Sequence, residues 1–303
     1  MKTMNRVRKC TRAVLFPVTL LVSGGAVLAA PDGWSPLLEP AELAGILEHS
    51  DDVRVMRLTG EYEAGHIPGA VSIPYGQFRG PQDNPGQLPD LADLTSLLQQ
   101  AGIEADTPVV LVHGGSGAVD MGAATRVYWT LRSLGVADLA VLNGGFSAWQ
   151  SAQLPVSTEQ VTVQASGYQP QWNDRWRVTT AELERLVNDD APVRLVDARP
   201  EPYFQGQQAS ASRAGTIPGS ENLSFTGWFD GNRMKSEDEL GAMLSADGEA
   251  AVTFCNTGHL GSINWFVMNE LAGQEGTRLY AESVTEWAMS PDRPMENEPR
   301  DRQ

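Results

Sequence analysis

Ala251-Val-Thr-Phe-Cys255-Asn-Thr-Gly-His-Leu-Gly-Ser262 is the stretch on which the reading of this chain turns. Ala251 to Phe254 form a short apolar run that predicts a buried strand. The run ends on Cys255, the one cysteine beyond the first 29 residues. From Ile263 to Leu271 the apolar residues are dense enough to predict a buried helix, with Gly273 as its stop. Strand, tight loop and helix start bring backbone N–H groups and the positive end of a helix dipole to a thiol. Such a setting favours the thiolate, the reactive form of cysteine. The competing reading is a buried small hydrophobe. A cysteine that ends a strand and opens a glycine-containing loop fits the reactive reading better.

Working outward, the first half alternates strands and helices. Helical spacing covers Pro40–Glu48, a strand is expected over Val53–Leu58, and the turn Gly65-His-Ile-Pro-Gly-Ala70 feeds another. A helix over Leu91–Ala101, a strand over Pro108–His113, a glycine-rich loop over Gly114–Gly122 and a helix over 123–134 follow. Leu139–Leu142 is a strand, and Phe146-Ser-Ala-Trp149 opens a last helix. The alternation predicts an α/β fold with a mainly parallel sheet. Residues 152–176, with Pro155, Pro170 and three aromatics, read as a linker packed against its neighbours.

The second half repeats the first. Thr179–Val187 matches the first helix, and Val193-Arg-Leu-Val-Asp-Ala-Arg199 matches Val53–Leu58, which sets Arg199 opposite Arg57 at an offset of 142. On this alignment Asp197 falls opposite Val55. Gly215-Thr-Ile-Pro-Gly-Ser220 matches the Gly65 turn at 150, and Ala251–Cys255 matches Val109–His113 at 142. A long-period repeat in one order means two copies of one domain. Cysteine replaces His113 in the second copy, so the chemistry is expected there alone.

The N-terminus reads as a leader. Lys2, Arg6, Arg8, Lys9 and Arg12 surround the start of an apolar run over Ala13–Leu28, which closes on Ala29-Ala30-Pro31. That is the pattern of a cleavable signal peptide over residues 1–29, implying a periplasmic or secreted chain without stable membrane association. The whole chain has 22 basic and 38 acidic residues, a charge of −16; without the five leader cations the balance is 17 to 38, or −21. Such a surface argues against nucleic acid as a partner and makes binding of an anion depend on a local positive site. With Cys10 in the leader, Cys255 has no intrachain disulfide partner, which points to a working thiol or an intermolecular bridge and strengthens the reactive reading.

These residues resemble the two-domain rhodanese-type sulfurtransferases, the thiosulfate and 3-mercaptopyruvate sulfurtransferases. The likeness rests on Gly65-His-Ile-Pro-Gly-Ala70, Arg126-Val-Tyr-Trp129 and Val141-Leu-Asn-Gly-Gly-Phe-Ser-Ala-Trp149 in the first half. In the second half it rests on Val196-Asp-Ala-Arg199, Ile217-Pro-Gly219, the Cys255 loop and Glu286-Trp287. It implies tandem rhodanese-like domains, a non-catalytic one over 30–151 and a catalytic one over 177–303. It also implies covalent catalysis through a Cys255 persulfide, formed from a sulfane donor and discharged to a thiol or cyanide. No metal or cofactor is implied, and one copy of the chain suffices.

By the same resemblance the loop Asn256, Thr257, Gly258, His259, Leu260 and Gly261 lines the site. Arg199 would take the donor's anionic end, with Arg213 as a weaker candidate, through a planar fork suited to sulfonate or carboxylate. The alternative for Arg199 is a structural salt bridge. Asp197 is expected to fix a strand end, His66 to belong to a turn, and the first domain to be a scaffold. The loop departs from the family in carrying neutral Asn256 and Thr257, with Leu260 at its sixth position. His259 is its only ionisable side chain, either orienting an acceptor or balancing the anion, or else standing exposed without a role. Ala281-Glu-Ser-Val284 replaces the family's Asp-Gly-Ser-Trp. Gly261 stands where a cysteine phosphatase needs arginine, which argues against that chemistry. The remaining rival is a sulfur carrier or redox relay that serves a protein partner without turnover on small donors.

Overall fold

The computed structural model describes residues 30–189, 192–244, 248 and 250–297; the leader read over 1–29 lies outside them. The first half runs β1 (Leu37–Leu38), α1 (Pro40–His49), β2 (Arg54–Arg57), β3 (Val71–Ser72), α2 (Leu91–Gln100), β4 (Val109–Val112), α3 (Ala118–Ser133), β5 (Leu139–Leu142) and α4 (Gly145–Ser151). Its five strands form a parallel sheet in the order β1-β5-β4-β2-β3.

The second half runs α5 (Thr180–Asn188), β6 (Arg194–Asp197), α6 (Glu201–Phe204), β7 (Ser220–Asn222), the hairpin β8 (Phe229–Asp230) and β9 (Arg233–Met234), and α7 (Glu237–Met243). It continues with β10 (Ala251–Phe254), α8 (His259–Trp265), β11 (Arg278–Leu279) and α9 (Ser283–Trp287). The order β11-β10-β6-β7, again parallel, repeats the last four strands of the first sheet. Helices cover both faces of each sheet, so β4 and β10 are buried at every position and are almost wholly apolar.

The duplication extends to single hydrogen bonds. Trp149 Nε1 donates to the Pro155 carbonyl and Trp287 Nε1 to that of Pro294, each at 2.8 Å. The two Gly-x-Ile-Pro-Gly turns each pair with a later segment, His66 with Ser157 and Thr216 with Glu296.

Strand register corrects one alignment made from sequence. The last residue of β4, Val112, pairs with Arg57, and its counterpart Phe254 in β10 pairs with Asp197. Asp197 therefore occupies the place of Arg57, and Arg199 that of Thr59. The single offset of 142 fails because the interval between these two strands is two residues longer in the second copy.

Two helices also begin earlier than expected. α3 starts at Ala118, and Gly122 lies inside it. A Cβ at Gly122 would stand 2.6 Å from Nε2 of His259, so this glycine permits close packing of two helices. α8 starts at His259, and Phe266–Leu271 continue it as a π-helical turn.

Three apolar clusters hold the chain. One lies on the outer side of each sheet, around Leu43 and Trp149 in the first half and around Leu183 and Trp287 in the second. The third joins the two halves, running from Met56 and Leu111 through Val127 and Trp129 to Trp265 and Phe266. Here α3 packs on α8, and Thr125 and Ser262 exchange a buried 2.8 Å hydrogen bond. Residues 152–176 run along the first domain, where Tyr168 and Ser166 donate to the carbonyls of Leu134 and Ile103 at 2.6 Å. A 3-10 turn, Asp174–Trp176, ends this stretch.

Asn143 pins the hairpin of the second half to the first. Its Oδ1 accepts from Met234 N at 2.8 Å, and its Nδ2 donates to the Met234 carbonyl at 3.0 Å and to Glu39 at 2.7 Å. Asn143→Ala leaves buried Met234 groups unpaired and should cost about 1–3 kcal/mol in urea unfolding. A loss under roughly 0.5 kcal/mol would show that water replaces the amide there.

Candidate functional site

β10 ends at Phe254 and delivers Cys255, 1% exposed, to the seam between the two halves. The loop proper is short: Asn256, Thr257 and Gly258. His259, Leu260 and Gly261, expected to complete it, form the first turn of α8. Gly258 adopts φ 69°, a left-handed conformation that carries the chain into the helix. A Cβ there would also run into Arg126 Nη1 and the Ala281 carbonyl. Gly261 is needed for contact rather than for a ligand, since a Cβ would lie 2.9 Å from the backbone of Phe254.

The Ala281–Val284 segment clamps the loop from behind. Cys255 N donates to Ser283 Oγ at 3.1 Å, and that hydroxyl donates to the Tyr280 carbonyl at 2.9 Å. Val284 N and Thr285 N donate to the carbonyls of Cys255 and Asn256 at 3.0 and 2.9 Å. Ser283 sits at φ 59°, strained for a residue other than glycine, at the point where it holds the cysteine's amide. These bonds engage the carbonyls at the base of the loop. The amides of Asn256, Thr257 and Gly258 meet no acceptor among the described residues.

The first domain shows the same loop filled. His113 stands in the cysteine's place, and Gly114 N donates to Thr59 Oγ1 at 2.8 Å. Gly115 N and Ser116 N both donate to Asp120 Oδ2, at 2.8 and 3.3 Å. Burial alone would raise the Asp120 pKa, but hydrogen bonds from His113 and Thr59 prevail and hold it well below the usual carboxylate range. The first copy thus carries its own anion. In the second copy the residue at that position is Ser262, whose hydroxyl donates to the His259 carbonyl at 2.8 Å. The loop at Cys255 thus has no carboxylate of its own on its amides among the described residues.

Arg199 and Arg213, expected at the donor's anionic end, are both taken up by partners within the protein. Arg199, 1% exposed, gives Nε and Nη2 to Asp197 at 2.9 and 2.6 Å and Nη2 also to the Gly215 carbonyl at 2.8 Å. Its Nη1 reaches Ser210 at 3.2 Å and Asn256 Oδ1 at 3.4 Å, so all its N–H groups are engaged. The fork expected for the donor is consumed by a buried ion pair, because Asp197 ends β6 two residues before it. Arg199 meets the loop at Asn256, directly and by way of Ser210, whose hydroxyl donates to the same Asn256 Oδ1. Arg213 donates to four carbonyls, of Trp287, Ala288, Ser290 and Arg293, and ties down the tail after α9. Leu260 packs against the shared core.

His259 neither stands exposed nor awaits an acceptor. Its Nε2 donates to the Val119 carbonyl and its Nδ1 accepts from the Tyr75 hydroxyl, both at 2.8 Å. Both ring nitrogens are therefore committed to the first domain. Burial, with help from the charges of Arg79 and Arg126, pushes its pKa down to about 4. It is a neutral imidazole at the interface.

Arg126 brings a charge that the sequence reading did not assign to the site. Fully buried on α3, it crosses the seam to the second domain. Nη1 donates to the Ala281 carbonyl at 3.1 Å and lies 3.5 Å from that of Thr257, while Nη2 donates to the Gly86 carbonyl at 2.9 Å. Burial and the neighbouring Arg79 lower its pKa to about 10, which leaves it a cation at neutral pH. The signal in the sequence was indirect: the loop Asn256–Gly261 carries no lysine or arginine, so any cation at it comes from another segment.

The His259 shift sets a pH dependence. The folded state holds a proton there less tightly than the unfolded chain, so its contribution is complete above pH 6.5 and is lost as pH falls toward 4. Comparing wild type with His259→Gln by denaturant titration between pH 7 and 4 should show the steeper loss in wild type. Parallel profiles over that window would remove the histidine as the cause.

A family model of the rhodanese-like domain matches residues 39–152 and again 179–290. A Synechococcus elongatus protein assigned as a thiosulfate sulfurtransferase is 33% identical, over 92% of this chain and 93% of its own. A Pseudomonas aeruginosa protein assigned as a 3-mercaptopyruvate sulfurtransferase is 31% identical, over 77% and 85%. Among solved structures, the anaerobic ergothioneine biosynthesis enzyme of Chlorobium limicola superposes with a TM-score of 0.76 at 20% identity, covering 90% of this chain and 72% of that one. At that identity the likeness concerns the fold.

Proposed function

Because the chain belongs to the rhodanese-like domain family, we propose that it is a sulfurtransferase that carries sulfur as a persulfide on Cys255. The observation that bears most weight is the contrast between its two loops. In the first, Asp120 occupies the amides; in the second, the amides beside Cys255 have no acceptor among the described residues. A cradle of donors that ends at a thiol is suited to an anion formed on that sulfur.

The chemistry balances with a donor such as thiosulfate. The Cys255 thiolate attacks the outer sulfur, the S–S bond of the donor breaks, and sulfite leaves with the electron pair. The persulfide's terminal sulfur then carries the negative charge, which the loop amides stabilise. A thiol or cyanide attacks that sulfur, and Cys255 leaves as thiolate. Arg199 supports the step by holding Asn256, and Ser283 by fixing the cysteine's amide. The 1% exposure of Cys255 favours a small donor over a protein surface. We read residues 1–29 as a leader that directs the chain to the periplasm or beyond.

Intact mass after thiosulfate, and separately after 3-mercaptopyruvate, tests this reading. One sulfur should be gained, stripped by cyanide, and absent in Cys255→Ser. No gain with either donor would rule out transfer from small molecules and leave a protein partner as the source.

A further inference from the structure

Thiosulfate and 3-mercaptopyruvate are both anions at neutral pH, yet the loop around Cys255 holds no cation of its own and its nearest domain-mate, Arg199, is consumed by Asp197. The first domain supplies two guanidinium groups instead. Arg126 reaches across the seam to the Ala281 and Gly86 carbonyls, but its buried Nε has no partner. Arg79 follows the 3-10 turn Tyr75–Phe78, with Cζ 5.3 Å from the centre of the Tyr75 ring. Its Nη1 is likewise buried without a partner. Tyr75 in turn bonds to His259 in the first turn of α8, so both arginines flank one corner of the Cys255 loop.

Neither arginine forms an ion pair among the described residues. The acid that most favours the Arg126 charge, Glu282, is already bound to Arg177 at 2.7 Å. Each cation lies over an aromatic ring, Tyr75 at 5.3 Å and Trp129 at 5.2 Å, yet each keeps one buried donor without a partner. An anion joining the two would relieve both that cost and their mutual repulsion. In a chain with 38 acidic and 22 basic residues, two guanidinium groups without an ion-pair partner among the described residues, at one corner of the Cys255 loop, are hard to explain as general charge balance.

Granted sulfur transfer at Cys255, on which this rests, we propose that Arg79 and Arg126 of the first domain bind the oxyanion end of the sulfur donor, a sulfonate-like or carboxylate group. The catalytic centre is then shared: the second domain contributes the nucleophile and the first the charge that selects its substrate. With thiosulfate, the electron pair released from the broken S–S bond appears on the sulfite held at these arginines, so the same contacts that bind the donor stabilise the leaving group.

Calorimetry with the full-length Cys255→Ser protein separates binding from turnover. Thiosulfate and 3-mercaptopyruvate are titrated into Cys255→Ser and into the same protein carrying Arg79→Ala or Arg79→Lys. Loss of one charge-assisted contact should weaken binding about tenfold to a hundredfold in Arg79→Ala, with partial recovery in Arg79→Lys. In the chain with its cysteine, Arg79→Ala should raise KM for the donor more than it lowers kcat. It should also leave discharge of a preloaded persulfide to 2-mercaptoethanol within about twofold of wild type. Arg126 supports the fold through three carbonyls, so its variant is Arg126→Lys, compared after thermal unfolding has shown it native. Equal donor affinity with and without Arg79, no donor binding to either protein, or an equal fall in loading and discharge would overturn the proposal. Tight, Arg79-dependent binding without any gain of sulfur in the wild type would instead count against the persulfide function while leaving the anion site standing.

Discussion

The reach of Arg126 from α3 into the Cys255 loop ties the two halves of this protein into one site. Its charge is buried, so it must be solvated by protein dipoles, and the carbonyls of Gly86, Thr257 and Ala281 do this from three separate segments. That demand explains several features around it. Gly258 must lack a side chain to admit the guanidinium, and Gly122 must lack one to admit His259 one turn away. The shared apolar cluster between the sheets keeps these contacts dry and gives them their strength. The first domain thus contributes a buried side chain to the packing of the Cys255 loop.

Duplication of one fold allowed its two loops to diverge in a chemically simple way. Both loops follow the central strand of a parallel sheet and lead toward a helix, and both present backbone amides at the same place. Asp120 fills the first set from within and His113 removes the thiol. Ser262 cannot reach back as Asp120 does, and its hydroxyl turns to His259 and Thr125. One carboxylate thus decides whether a loop is structure or cradle. The strain at Ser283 lies on the open side, where the amide of Cys255 must be held without closing the cradle.

Much of the fold could be read directly. Ala251–Phe254 and Val109–Val112 are apolar but for Thr253 because helices cover both faces of each sheet, and their buried runs mark the central strands. Periodicity located α2 and β5 to within a residue. It failed where glycine was taken as loop: Gly122 and Gly261 lie in helices, where they make room for His259, far off in sequence, and for the Phe254 backbone seven residues back. The offset between copies failed at β6 because an insertion of two residues leaves no mark in the hydrophobic pattern, whereas hydrogen-bonded register detects it at once.

By itself, the sequence determined the class of fold, the duplication and the place of the thiol, because these depend on local pattern: apolar runs, turn residues and one cysteine at a strand end. Tertiary structure alone decided which charges stand beside that thiol. Arg199, near in sequence, is spent on Asp197. Arg126 lies 129 positions before Cys255, yet hydrogen-bonds the carbonyl of Ala281 behind the loop and approaches that of Thr257 within it. The physical reason is that a side chain's charge is assigned by what surrounds it after folding, and those neighbours come from strands and helices that the linear chain keeps far apart.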